Sequence, residues 1–215
     1  MDITWLCNST FLIKNSMGKR ILIDPLNRLF SHNIDNIKPN IITISNFSPG
    51  VFTIPSIDPS TTLITSSGEY VTDFCKITGY DTFSDHFKGA KRGNNIIYIY
   101  EIDNLRLCHL GYLGEDLSDD ILKKIGEIDI LFIPIGGHIN LNGIEAFNLY
   151  KKINPKVVIP MNYKHSLSSF LFSGPQDFLL LTRNSYKIKT DSFNISKDTI
   201  LQTGSSVVLK PIRAI

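Results

Sequence analysis

Ile3-Thr4-Trp5-Leu6, Phe11-Leu12-Ile13 and Ile21-Leu22-Ile23 open the chain, with Asn15-Ser16-Met17-Gly18 before the third run and Asp24-Pro25 closing it. Short apolar runs bounded by turn residues read as strands, and a proline with no N–H ends the last of them. Three strands in such close succession start a sheet. Further on, Ile41-Ile42-Thr43-Ile44 follows Pro39-Asn40 and stops at the polar, glycine-containing stretch Ser45 to Gly50, as a buried strand feeding a loop does. Thr62-Leu63-Ile64-Thr65 is a further strand candidate.

Ile96-Ile97-Tyr98-Ile99-Tyr100 and Leu105-Arg106-Leu107-Cys108, joined at Asp103-Asn104, carry a hairpin signal. Ser118 is a suitable N-cap for a helix with Ile121, Leu122 and Ile125 on one face and Gly126 after it. Ile130-Leu131-Phe132-Ile133 follows as a buried strand. Asn142 and Glu145 resemble a capping box before a helix whose Ile144, Phe147, Tyr150 and Ile153 recur at helical spacing, and Val157-Val158-Ile159 is the next strand. Strands cluster first and strand-helix alternation follows, which implies sheets covered by helices without fixing their topology.

The chain has 215 residues, 42% hydrophobic and 20% charged. With no linker-like tract to divide it, one domain spanning 1–215 is expected. A formal charge of +2, with basic residues scattered or paired as in Lys123-Lys124 and Lys151-Lys152, argues against a nucleic-acid partner. No apolar run approaches the ~20 residues of a membrane span, and the start lacks the signature of a secretory leader. Cys7, Cys75 and Cys108 are odd in number, far apart and in apolar surroundings, which suits buried thiols in the cytoplasm. Without a leader, the glycosylation pattern Asn8-Ser9-Thr10 carries no weight.

The opening strands, together with Gly68-Glu69-Tyr70, Gly89-Ala90-Lys91-Arg92-Gly93-Asn94-Asn95, His109-Leu110-Gly111-Tyr112-Leu113-Gly114, Ile133-Pro134-Ile135-Gly136-Gly137 and Pro155 to Lys164, resemble landmarks of the metallo-β-lactamase superfamily. The similarity is to its small metal-dependent hydrolases related to ascorbate-phosphate lactonases, and it covers most of the chain as far as Lys164. It implies an αββα four-layer sandwich: two mixed β-sheets flanked by helices, with the active site at one rim.

The resemblance also implies a ligand set that this chain lacks. Where relatives carry His-x-His-x-Asp-His, the positions are Asn46, Ser48, Gly50 and Val51; the next family histidine falls on Ser84, the bridging aspartate on Tyr112, the last histidine on Asn162, and an early histidine on Asn8. Zinc or manganese needs at least three imidazole, thiolate or carboxylate donors to replace its hydration shell. A bound metal brings water's pKa from about 15.7 towards ~7, so its loss removes on the order of 10 kcal/mol of hydroxide activation. Neutral Asn, Ser and Tyr also avoid the repulsion of facing histidines and carboxylates left without a cation.

Asp24, Asp85, His86, His109, His138 and Glu115 remain as residual polar groups near that rim. Asp24 is assigned to fixing the adjacent loops and His109 to a hydrogen-bonded supporting place. A one-residue slip would put His86 on a ligand position, forming an atypical metal site with Asp85 and His138. Ser48 and Ser84 lack the Gly-x-Ser-x-Gly elbow of a serine hydrolase. The Phe/Leu-rich segment 167–190 reads as a final helix packed on the sandwich, with a pocket cover or subunit contact as alternatives. The resulting reading is a catalytically inactive binding or regulatory protein without a cofactor, its partner a small polar ligand or a protein. Two alternatives stand beside it: a phosphate-ester or lactone hydrolase using zinc or manganese at an atypical site, and a structural subunit of a homo-oligomer.

Overall fold

A computed structural model describes residues 1–25, 37–46, 58–165, 171–183, 185–200 and 205–211. Two mixed sheets form the body. The first, in spatial order β13-β1-β2-β3-β4-β5, contains β1 (Asp2–Cys7), β2 (Thr10–Lys14), β3 (Arg20–Ile23), β4 (Ile41–Thr43), β5 (Thr62–Ile64) and β13 (Ser192–Asn194). The second, ordered β12-β14-β11-β10-β9-β8-β7-β6, contains β6 (Gly68–Val71), β7 (Lys76–Phe83), β8 (Asn94–Ile102), β9 (Leu105–His109), β10 (Ile130–Pro134), β11 (Val157–Met161), β12 (Ser185–Lys187) and β14 (Ser205–Val208).

Residue chemistry accounts for this placement. β10 and β11 are buried along their whole length and pair in parallel, as near-continuous apolar strands do when both faces are covered. The β8–β9 hairpin turns at Asp103 and Asn104, whose φ values are 51° and 60°. Positive φ at both central residues is what a tight two-residue hairpin turn requires. One core runs between the sheets, where Phe11 of β2 and Phe132 of β10 meet with ring centroids 4.6 Å apart. Such aromatic pairs add to the free energy of simple burial.

The helices are α1 (Asp119–Ile125), α2 (Gly143–Ile153) and α3 (Gln176–Thr182), with α2 packing on β10 and α3 on β14. Ser118 Oγ accepts from Ile121 N, and Asn142 with Glu145 completes the expected capping box, which satisfies N–H groups that the helix itself leaves free. Of the apolar residues expected to recur on α2, Ile153 is buried and Phe147 and Tyr150 pack against the core, and only Ile144 departs from the expectation. Gly143, Ala146, Leu149 and Ile153 are its buried residues, whereas Ile144 is 59% exposed. Phe178 of α3 takes the place at the helix start: a side chain on Gly143 would reach its backbone N at 2.9 Å.

The segment after Lys164 also differs from a single packed helix. α3 has only seven residues, with Phe178 fully buried and Leu180 exposed, and the chain then enters edge strand β12. Residues 166–170, including part of the Phe/Leu-rich stretch, lie outside the described residues. Among the described residues, no helix is long and apolar enough to cross a membrane.

Candidate functional site: a neutral rim

The ends of β3, β4, β9, β10 and β11, the β1–β2 turn and the start of β8 converge on one rim of the sandwich. Asp24 sits there directly after β3, with φ 46°. Its carboxylate accepts from Ser45 N at 2.7 Å and Ser45 Oγ at 2.5 Å, while Thr10 Oγ1 donates to its carbonyl at 2.6 Å. Complete burial pushes the Asp24 pKa up to about 7, although the hydrogen bonds from Ser45 favour the charged form, because a carboxylate removed from water loses its solvation. The carboxylate therefore ties β3 to β4 rather than facing a cation.

His109 at the end of β9 is neutral. Gly111 N, which can only donate, reaches its Nδ1 at 3.2 Å, and Ser9 O, which can only accept, lies 3.0 Å from Nε2. The proton is thus on Nε2. Burial holds the His109 pKa down at about 3, with the Ser9 carbonyl opposing that shift. The same ring packs against Phe11 and Phe132, with centroids 6.0 and 5.7 Å away.

Tyr112 follows on the same loop. Asn95 Oδ1 accepts from Tyr112 N at 2.8 Å, while Asn95 Nδ2 donates to Thr82 Oγ1 and Leu110 O at 2.9 and 3.0 Å. Ser9 Oγ donates to the Tyr112 hydroxyl at 2.9 Å, and burial raises that phenol's pKa. Gly111 has φ 61°, and a side chain there would meet Ser45 and Asn95 atoms at 2.5 Å. Both the backbone conformation and the space demand glycine.

The remaining positions aligned with family ligands behave similarly. Asn46 Nδ2 donates to Ser84 Oγ at 2.8 Å, and Ser84 Oγ turns to Asn94 O at 3.4 Å. Asn162 N donates to Asn8 O at 3.3 Å, joining the end of β11 to the end of β1. The Asn162 carboxamide is fully buried with neither polar atom partnered, and Asn8 Oδ1 is likewise unpartnered. Ser48, Gly50 and Val51 lie outside the described residues.

Asp85, His86 and His138 are not brought together as a metal site. Burial opposes ionisation of Asp85, but N–H groups of Phe87, Gly89, Lys91 and Arg92, at 2.6 to 3.0 Å, hold its pKa below the ordinary carboxylate range. Its role is to shape the 85–92 loop. His86 is more than half exposed and points to Glu145 Oε1 of α2 at 3.3 Å, across a cleft of about 240 Å³ that Glu115 also lines. Glu115 accepts from Phe83 N at 2.9 Å; burial, then the nearby charge of Asp85, raises its pKa. His138 is exposed in a turn at φ 56°. Among the described residues no group of three or more His, Cys, Asp or Glu is placed to hold a metal ion. The described donors do not fit the family's metal. The buried carboxylate of Asp24 is engaged at both oxygens by Ser45, the His109 imidazole is bonded at both nitrogens, and the described positions aligned with the other ligands carry amides and hydroxyls, which hold a transition metal poorly.

Sequence reasoning missed Ser9, Ser45 and Asn95, which organise the rim. Only their positions in the β1–β2 turn, just past β4 and at the start of β8 pointed to them.

Comparison with known proteins agrees with the architecture. The Beta-lactamase superfamily domain profile matches residues 2–162. A UPF0173 metal-dependent hydrolase of Pelotomaculum thermopropionicum is 23% identical over 195 residues, covering 76% of this chain and 84% of that protein. Another from Methanosarcina barkeri is 24% identical, covering 97% of this chain and 99% of its own length. A Thermotoga maritima crystal structure from the metallo-beta-lactamase superfamily superposes with a TM-score of 0.76 at 26% identity, covering 97% of each chain. Two mixed sheets with this rim, a profile match over most of the sequence and a full-length structural counterpart place the chain in the metallo-β-lactamase superfamily, among its small hydrolase-like members.

Proposed function

We propose that this superfamily member is a one-domain cytoplasmic protein that no longer performs metal-dependent hydrolysis and instead binds a small polar ligand or a protein partner. The observation that carries this reading is the hydrogen bond from Asn46 Nδ2 to Ser84 Oγ at 2.8 Å. Two positions that align with metal-binding histidines satisfy each other directly, with neutral groups that compete poorly with water for a divalent cation. Nearby, Asp24 is engaged by Ser45 and His109 is neutral and doubly bonded. Without a metal, water at this rim lacks the activation that hydrolysis of an ester or lactone requires. Three buried, free cysteines support the cytoplasmic placement, since thiols stay reduced there.

Relatives named as metal-dependent hydrolases favour a second reading, hydrolysis of a phosphate ester or lactone at an atypical zinc or manganese site. Metal analysis of protein purified without chelators separates the two. The first reading expects far less than one equivalent of zinc, manganese or iron and no chelator-sensitive hydrolysis of p-nitrophenyl phosphate or a γ-lactone. Stoichiometric metal with such turnover would overturn it.

A further inference from the structure

Among the described residues, only Asn140 and Asn162 have both side-chain polar atoms buried without a hydrogen-bond partner, at 7% and 0% exposure. Both belong to this rim. Asn162 follows β11 and its N–H bonds to Asn8 O, bringing it beside Asn8, whose Oδ1 is also orphaned. Asn140 sits in the loop after β10, which Leu141 N ties to Leu113 O at 3.0 Å. Its neighbour Ile139 packs against the cluster containing Tyr112 and Leu6.

A buried amide without partners is costly, because water's hydrogen bonds have been removed and not replaced. Such groups in native proteins call for a partner that completes them. The chemistry of that partner follows from the orphaned atoms. Asn162 offers an acceptor, Oδ1, beside a donor, Nδ2, in one plane. Its complement is a cis-amide edge, an N–H next to a C=O, which pairs through two parallel hydrogen bonds as asparagine does with a nucleobase edge. Asn8 Oδ1 adds an acceptor for a second N–H. Phosphate and carboxylate oxygens are chiefly acceptors and would leave Asn162 Oδ1 and Asn8 Oδ1 unpaired, so these anions fit poorly.

Resting on the reading of this rim as a metal-free binding site, we propose that Asn162, with Asn8, receives a neutral planar ligand carrying a cis-amide edge, such as a pyrimidine-dione base or a secondary lactam.

The test uses the full chain with ¹⁵N labelling, following the side-chain NH₂ resonances of Asn162 during titration with uracil, 2-pyrrolidone, 1,3-dimethyluracil and inorganic phosphate. Uracil is expected to shift the Asn162 resonance saturably; 1,3-dimethyluracil, of similar shape but without N–H, is expected to bind about tenfold more weakly or not at all. Response to uracil alone assigns a base-like ligand, and response to both uracil and 2-pyrrolidone assigns the amide edge itself. Asn162 has φ 52°, a left-handed backbone that aspartate also tolerates. Asn162→Asp therefore keeps the shape while replacing the donor by a charge, and is expected to abolish binding. No saturable shift with uracil or pyrrolidone, as when trapped water completes the amides, overturns the proposal; so does equal response to dimethyluracil or preference for phosphate. Failure of these probes with metal-free protein leaves the loss of hydrolysis standing, whereas stoichiometric metal removes the foundation of both.

Discussion

Asp24 Oδ2 lies 4.0 Å from His109 Nδ1, yet the two do not form an ion pair, because that nitrogen accepts the Gly111 N–H and the ring is neutral. Burial acts on both groups in opposite directions. It raises the Asp24 pKa from 3.8 to about 7 and lowers that of His109 from 6.5 to about 3. A raised carboxyl contributes stability below its unfolded pKa that disappears as pH rises from about 4 through 7. A depressed histidine contributes stability above about 6.5 that disappears as pH falls towards 3. Asp24→Asn removes the first effect and leaves the second. Asparagine tolerates the left-handed backbone at this position and retains an acceptor for Ser45 N. In urea unfolding, the stability of Asp24→Asn relative to wild type is expected to grow by about 2–3 kcal/mol between pH 5 and pH 8. A pH-independent difference would mean that Asp24 is ionised in the fold as it is in water.

Two glycines separate lack of space from backbone conformation. A side chain on Gly136 would run into the carbonyl oxygen of Asn162, a backbone atom that cannot swing aside. Gly93 has φ +77° and open space around it. Gly93→Ala should cost only the left-handed penalty, about 1–2 kcal/mol. Gly136→Ala should cost more than about 3 kcal/mol, because the ends of β10 and β11 must separate. Denaturant midpoints of the two variants check the order, and the reverse order would refute this packing of the rim.

The frame of the fold was legible because its strands announce themselves locally. Ile130-Leu131-Phe132-Ile133 is apolar throughout, Asp103-Asn104 marks a hairpin, and Asn142 with Glu145 marks a helix start. Less visible was β7, where Gly79 and polar alternation dilute the pattern. Gly79 leaves room for Tyr98 of β8, whose ring would lie 3.0 Å from a Cβ there. β13 was also hidden, because three residues, Ser192 to Asn194, become a strand only through pairing with β1. At the rim, the residues aligned with metal ligands were nameable from the resemblance, but the bond between Asn46 and Ser84 was not. It joins residues 38 apart in sequence and depends on how β4 and β7 end.

Thiol reactivity gives an independent check of burial. Cys7, Cys75 and Cys108 are free and at most 6% exposed, and burial raises all three thiol pKa values, that of Cys7 to about 12. Thiolates are the reactive form, so native protein at pH 8 should react with an aromatic disulfide reagent only over hours. In guanidinium, three equivalents should react within minutes. One fast thiol in the native protein would place at least one cysteine at the surface.

The contact between Asn46 and Ser84 can itself distinguish a closed neutral rim from a metal site. If the two residues serve only each other and their neighbours, Asn46→Ala and Ser84→Ala should each destabilise modestly. The double-mutant cycle should then give a coupling of about 0.5–1.5 kcal/mol, the range of a hydrogen bond between neutral side chains. Zinc should leave this coupling unchanged, because neither amide oxygen nor hydroxyl holds the ion against water. A metal site at the same place behaves differently: the wild-type melting temperature rises with zinc by mass action, and either substitution removes that rise. Thermal unfolding of the four proteins in EDTA and in zinc distinguishes these outcomes, and a zinc-dependent rise lost in both single variants would show that Asn46 and Ser84 still belong to a metal site.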